Sequence, residues 1–250
     1  MKSWITLALV LFIALPTVAA AQTGCRWGSF DASRINYGDG PLTGAAHTTL
    51  STIITANGGT IAPATPALTA AYLGSVNVFY TSLLSTTTGA LSAAEQAALQ
   101  AWINAGGTLI VTGDIFPLPA YESFTQVYGV TGYTSISGVA NGTTVNAHPI
   151  IAGVTTFNYN TNCTFSYGGD ALRLGVDALG NTFMVVLEPG TGFPHAGRVL
   201  VTGDHNMFTN SLIGNADNTL LANNIAQWAC HGVVAVEPAT WGQVKSVFAR

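Results

Sequence analysis

The chain has 250 residues, 48% of them hydrophobic and only 7% charged, with a formal net charge of −4. That length suits one large domain with a sizeable core, and the charged share is about a quarter of the usual one. So few cations exclude a nucleic-acid partner, which needs clustered Lys and Arg against phosphate; Lys2 and Lys245 are the only lysines.

Met1–Ala21 has the pattern of a secretory signal peptide: Lys2 as the positive start, Trp4–Leu15 as the apolar run and Ala19-Ala20-Ala21 as the small-residue cleavage site before Gln22. The run is too short to span a membrane comfortably and Pro16 interrupts it. The expected product is an exported bacterial protein, periplasmic, cell-surface or extracellular, with no membrane span after cleavage. Thr23-Gly24-Cys25 resembles the end of a lipobox, although Gln22 stands where an aliphatic residue belongs. The mature chain keeps Cys25, Cys163 and Cys230. In an oxidising compartment two of them can pair, in any of three ways. None has metal-ligand spacing, and no metal or cofactor is expected.

Cys25–Phe30 reads as a first strand, followed by Asp31 and Arg34 at a charged edge. Asn36–Gly44 is a Gly/Pro-rich loop of a kind that covers such an edge. A helix is expected over Ala45–Ala56, with Leu50, Ile53 and Ile54 on one face, stopped by Asn57-Gly58-Gly59. Short strands follow at Thr60–Ala62 and Val76–Tyr80. The clearest helix is Ser92–Ala105. Ser92 and Glu95 form a capping box, Leu99, Trp102 and Ile103 the buried stripe, and Gly106-Gly107 the stop. Thr108–Thr112 is then a buried strand ending in Gly113-Asp114.

Pro119–Tyr128 reads as a short helix. Gly129–Tyr167, rich in Gly, Thr and Asn, suggests short strands or an excursion from the core. Ala171–Leu179 and Thr182–Leu187, separated by Gly180-Asn181, read as an antiparallel hairpin. Arg198–Thr202 is a second buried strand. It stops at Gly203-Asp204-His205-Asn206, and Asn215 to Asn218 offer caps for a helix with Leu221, Ile225 and Trp228 on its apolar face.

The two buried strands echo each other as Gly107-Thr-Leu-Ile-Val-Thr-Gly-Asp114 and Gly197-Arg-Val-Leu-Val-Thr-Gly-Asp204. We read this as two strands of one sheet meeting the same geometric demand. In a parallel sheet both aspartates would share the carboxyl edge, where open α/β sheets bind ligands. The fold class expected is α/β: a mainly parallel sheet flanked by helices, with an antiparallel hairpin portion. Residues 22–232 form the domain and 233–250 a tail. That tail, with Trp241 and Phe248, is either a sorting signal or a segment docked on the domain.

Ala105–Asp114, His148-Pro-Ile-Ile-Ala-Gly-Val154 and Gly197–Trp228 resemble the class I glutamine-amidotransferase-like superfamily, of flavodoxin-like fold. The nearest branch is the secreted, uncharacterised one ending in Gly203-Asp204, Phe208, Asn210, Asp217-Asn218 and Asn224 to Trp228. The resemblance implies the fold. It does not carry the glutaminase reaction, because neither buried strand ends in a cysteine-bearing elbow.

The site candidates are Asp31, Arg34, Asp114, Asp204, His205 and Asn206 as ligand-binding residues, with Asp204, His205 and Asp114 as the possible acid/base set. The plainer reading has Asp204 capping the next loop through backbone N–H groups. Adjacent strand residues point to opposite faces, so Asp204 and His205 serve one ligand only if the chain has already turned. No pair among His148, His195 and His205 has zinc-ligand spacing. Trp27, Tyr37, Tyr72 and Tyr80 suit a sugar-binding surface or the core, and Asp217-Asn218 is expected to cap the last helix. The function expected is a non-catalytic binding or interaction domain for a small molecule, glycan or envelope protein. A hydrolase of carbohydrates or amides using Asp204 and His205, or a structural envelope component, are the alternatives.

Overall fold

Nine strands join in one mixed sheet, ordered β2-β1-β3-β4-β9-β8-β7-β5-β6, in a computed structural model that describes residues 24–36, 39–190 and 193–230. The expected signal segment, the tail, Tyr37 and His231 lie outside the described residues. The parallel half comprises β1 (Cys25–Ser29), β2 (Gly59–Ile61), β3 (Val78–Tyr80), β4 (Thr108–Thr112) and β9 (Arg198–Thr202). The antiparallel half adds β5 (Val130–Thr144), β6 (Thr156–Tyr167), β7 (Leu172–Val176) and β8 (Thr182–Leu187). This is the expected α/β architecture.

The middle residues of the two central strands, Leu109, Ile110 and Val111 in β4 and Val199, Leu200 and Val201 in β9, are apolar because both of their faces are covered. Leu109, Val111, Val199 and Val201 enter one core with Leu99, Ile103, Tyr121 and Phe124. Ile110 and Leu200 enter the other with Leu50, Ile54, Leu221 and Ile225. Helices α1 (Thr48–Ala56) and α5 (Asn218–Cys230) therefore cover one face, and α3 (Ala93–Asn104) and α4 (Leu118–Thr125) the other, joined by the single turn α2 (Ala70–Leu73). The Ser92–Glu95 capping box forms in both directions. Among the described residues no helix is long and apolar enough to cross a membrane.

The structure corrects the sequence reading in two places. Gly129–Tyr167 is not a series of short strands but one long hairpin, β5 and β6, whose pairing slips at bulges between Thr131 and Thr134 and between Ile136 and Val139. Although β6 is the outermost strand by pairing order, its Cys163 N–H donates to Gly203 O at 2.8 Å. The hairpin thus folds back across the end of β9. Asp217 does not cap α5 with its side chain. Its carboxylate accepts the Thr155 and Thr156 N–H groups at 2.9 and 3.1 Å, and Asn218 bonds both backbone groups of Asn158, so the pair fastens β6 to the helix start.

Of the three possible cysteine pairings, Cys25–Cys230 is the one formed, joining the start of β1 to the end of α5. Cys25 therefore has no thiol left to carry a lipid. Cys163 is free and buried.

Candidate functional site

Strands β4 and β9 run in register from Thr108↔Arg198 to Thr112↔Thr202, so Asp114 and Asp204 leave the sheet side by side at its carboxyl edge. The repeated glycine before each aspartate is a packing requirement. A Cβ on Gly113 would lie 2.4 Å from Cys163 Sγ, and one on Gly203 would lie 2.2 Å from Cys163 O. The β6 backbone crosses there and brings Asn160 and Thr161 to the same edge. Thr161 holds φ 51°, a left-handed conformation costly for a β-branched residue.

After Asp204 the chain turns at once: His205 has φ −82° and ψ −29°, leading into a 3-10 turn at Asn206–Phe208. Asp204 and His205 are thereby freed from strand alternation and converge. His205 Nδ1 lies 2.8 Å from Asp114 Oδ2 and 3.8 Å from Asp204 Oδ1, and Nε2 lies 2.6 Å from Asp39 Oδ2. The ring contacts are close ion pairs rather than aligned hydrogen bonds, since His205 Nδ1 and Asp39 Oδ2 have no hydrogen-bond partner.

Asp204 is fully enclosed and does cap its loop. It accepts the Asn160 and Asn206 N–H groups, both at 2.8 Å, and the Asn206 amide at 3.0 Å. That amide also reaches Asn160 O at 3.1 Å and Asp114 Oδ2 at 3.4 Å. Asp114 Oδ1 accepts its neighbour's N–H, from Ile115, at 2.6 Å.

Burial sets the protonation here. It pushes Asp204 up to about 7, against the pull of His205 and the N–H donors. Burial alone would lower His205, but hydrogen-bond-range contact with the Asp114 and Asp39 carboxylates outweighs it and holds the imidazole protonated, near 9. Cys163 is pushed well above the ordinary thiol range by burial and by Asp114 and Asp204.

The cluster opens into a pocket of about 300 Å³ lined by Asp39, Asp114, Asn160, Thr161, His205 and Asn206, with Leu83, Ile115 and Phe116 as apolar wall. Asp114, Asp204 and His205 each present one ligand-type atom, all within 4.8 Å of one another.

Of the residues singled out from sequence, Asp114, Asp204, His205 and Asn206 meet in this site, whereas Asp31 and Arg34 do not line it. The Asp31 carboxylate accepts the Ser33 N–H and hydroxyl at 2.9 and 2.6 Å, closing a local turn. Arg34 pairs with Glu95 at 2.7 Å and stacks over Phe30. His148 pairs with Glu188 at 3.2 Å and His195 contacts Asn104, so neither joins His205. Trp27 and Tyr80 are buried in the core. Sequence reasoning missed Asp39, Asn160 and Thr161. A carboxylate between two glycines, Gly38-Asp39-Gly40, in a loop expected to cover the edge was the usable signal for the first. Nothing comparable marked the other two.

Fold and edge site together define a doubly covered α/β domain with its polar groups at the carboxyl ends of the central parallel strands. The pattern of a family described only as a domain of unknown function, DUF4350, matches residues 49–226, and the chain belongs to that family. No curated protein matches the chain. Among solved structures, the mmIFT52 N-terminal domain is 15% identical, with 84% of this chain covering 99% of that one at a TM-score of 0.64. The cytoplasmic protein STM3548 from Salmonella typhimurium is 12% identical, with coverage of 82% and 98% and a TM-score of 0.60. A candidate GMP synthase protein from Thermoplasma acidophilum is 9% identical, with coverage of 89% and 98% and a TM-score of 0.51. Amidotransferase-like and ThuA-like proteins thus share this fold.

Proposed function

We propose that this chain is an exported, non-catalytic binding domain that holds a small polyhydroxylated ligand of glycan type in the pocket bounded by Asp39, Asp114, Asn160 and His205. The observation that carries this reading is the pinning of His205 between Asp39 and Asp114. An imidazolium with a carboxylate at each nitrogen has no lone pair with which to take a proton, so it does not serve as a general base. The nearest thiol, Cys163, is buried and held in its neutral form, and Cys25 and Cys230 are consumed in the bridge, which leaves no thiolate nucleophile of the amidotransferase type.

The lining suits a sugar-like molecule. Carboxylates accept from hydroxyls, the amides and Thr161 exchange hydrogen bonds with them, and Phe116 and Leu83 offer apolar surface to C–H faces. The Cys25–Cys230 bridge supports an oxidising destination. Calorimetric titration with a panel of mono- and oligosaccharides, beside turnover assays on glycosides and amides, tests the reading. Saturable binding that Asp114→Asn weakens at least tenfold, without turnover, is expected. Turnover abolished by His205→Gln would establish the hydrolase instead. Export is checked by the N-terminal sequence of the secreted product, which should begin at Gln22.

A further inference from the structure

We infer that the same pocket binds one divalent first-row transition-metal ion, held by His205 Nδ1, Asp114 Oδ2 and Asp204 Oδ1, with Asp39 orienting the imidazole from its other nitrogen. His205 Nδ1 is enclosed, its side chain only 3% exposed, and has no hydrogen-bond partner. Ion-paired with Asp114 at 2.8 Å yet out of line with it, this enclosed nitrogen forgoes the aligned hydrogen bond that a buried polar atom ordinarily makes. It is aimed at two carboxylates rather than at donors. Its distances of 2.8 Å to Asp114 and 3.8 Å to Asp204 resemble the ligand-to-ligand spacings, about 3–4 Å, around an ion with bonds near 2.1 Å.

The surroundings agree. Around the Asn206 amide nitrogen, Asp204 Oδ1, Asn160 O and Asp114 Oδ2 present three acceptors to two hydrogens. The site is therefore richer in electron pairs than in protons to fill them. Asp39 at 2.6 Å from Nε2 stands where a carboxylate fixes the ring of a metal-ligating histidine and presents the opposite nitrogen to the ion. The ion takes the place of the Nδ1 proton, so the ring is no more a base with the metal bound than without it. One imidazole with two carboxylates favours zinc or manganese over calcium or magnesium, which take all-oxygen shells. Because Asp114 and His205 line the pocket, the open coordination positions face it. Hydroxyls of the bound ligand would fill them, a step that rests on the binding reading above.

The test uses the purified full chain, stripped with a chelator and titrated with zinc chloride by calorimetry. One ion per chain with micromolar or tighter affinity is expected. His205→Gln and Asp114→Asn should weaken binding at least a hundredfold, and Asp39→Asn by about 10- to 100-fold. Zinc-edge X-ray absorption on the wild-type protein reports one imidazole and oxygen ligands even if a variant fails to fold. No stoichiometric uptake of zinc or manganese, uptake unchanged in folded His205→Gln, or a shell of several imidazoles would overturn the site. Repeating the saccharide panel with chelator separates the two proposals. Saccharide binding that survives intact removes the ion and keeps the pocket. Stoichiometric zinc binding without any saccharide binding keeps the ion and removes the glycan reading.

Discussion

His47 sits behind the site, fully buried, with its ring edge-on to Tyr80 and Nε2 3.5 Å from Ser82 Oγ. Burial brings it down to about 4, with Asp39 opposing and His205 reinforcing. The unfolded chain takes up that proton near 6.5, so between pH 6.5 and 4 it binds more protons than the folded one and stability falls as pH falls. The contribution is roughly 2–3 kcal/mol. Asp204, raised to about 7, acts in the opposite direction over the same window. The informative quantity is therefore a difference: urea midpoints should show His47→Gln losing less stability than wild type from pH 6.5 to 4. Parallel curves would mean that His47 is protonated in the fold. At this scale the sequence showed which side chains could carry chemistry but not which would meet. Asp204 was readable both as a cap and as a site residue; it caps its loop and lies 3.8 Å from His205 at the sheet edge. Asp39 reaches His205 from far away in the chain, a separation that no local pattern encodes.

Among the elements, the strand endings were the most legible feature, and the structure supplies their cause. Gly107 and Gly197 abut at the start of β4 and β9, where a Cβ on Gly197 would lie 2.2 Å from Gly107 O, and Gly113 and Gly203 abut β6 at the finish. Gly203→Ala meets backbone oxygen and the Phe183 ring and should cost about 3 kcal/mol or more. The nearest obstruction to Gly113→Ala is the Cys163 sulfur, so adding Cys163→Ala should recover part of its loss while leaving Gly203→Ala unrelieved. Equal rescue of both, read by thermal melting, would refute this packing account. The β5–β6 hairpin was illegible for a related reason. Its bulges, with Gly132 and Gly138 at positive φ, interrupt the two-residue alternation by which a long strand is recognised.

On the scale of the whole molecule, the order of strands and helices sufficed for the α/β class, since buried apolar runs alternating with amphipathic helices leave few other arrangements. The cysteine pairing was beyond sequence because it depends on where β1 and α5 come to rest. The bridge spans 205 positions, and closing so long a loop in the unfolded chain contributes about 5 kcal/mol in the chain-entropy view. That is a large fraction of a typical domain's stability. Reduction, or the paired change Cys25→Ser with Cys230→Ser, should move the urea midpoint sharply downward; coincident curves with and without reductant would show that the bridge does not form. The same link fixes how the protein responds to proteolysis. A cut in any loop between Cys25 and Cys230 leaves two fragments still covalently joined. Damage of that kind would pass unnoticed on a gel until the sample is reduced.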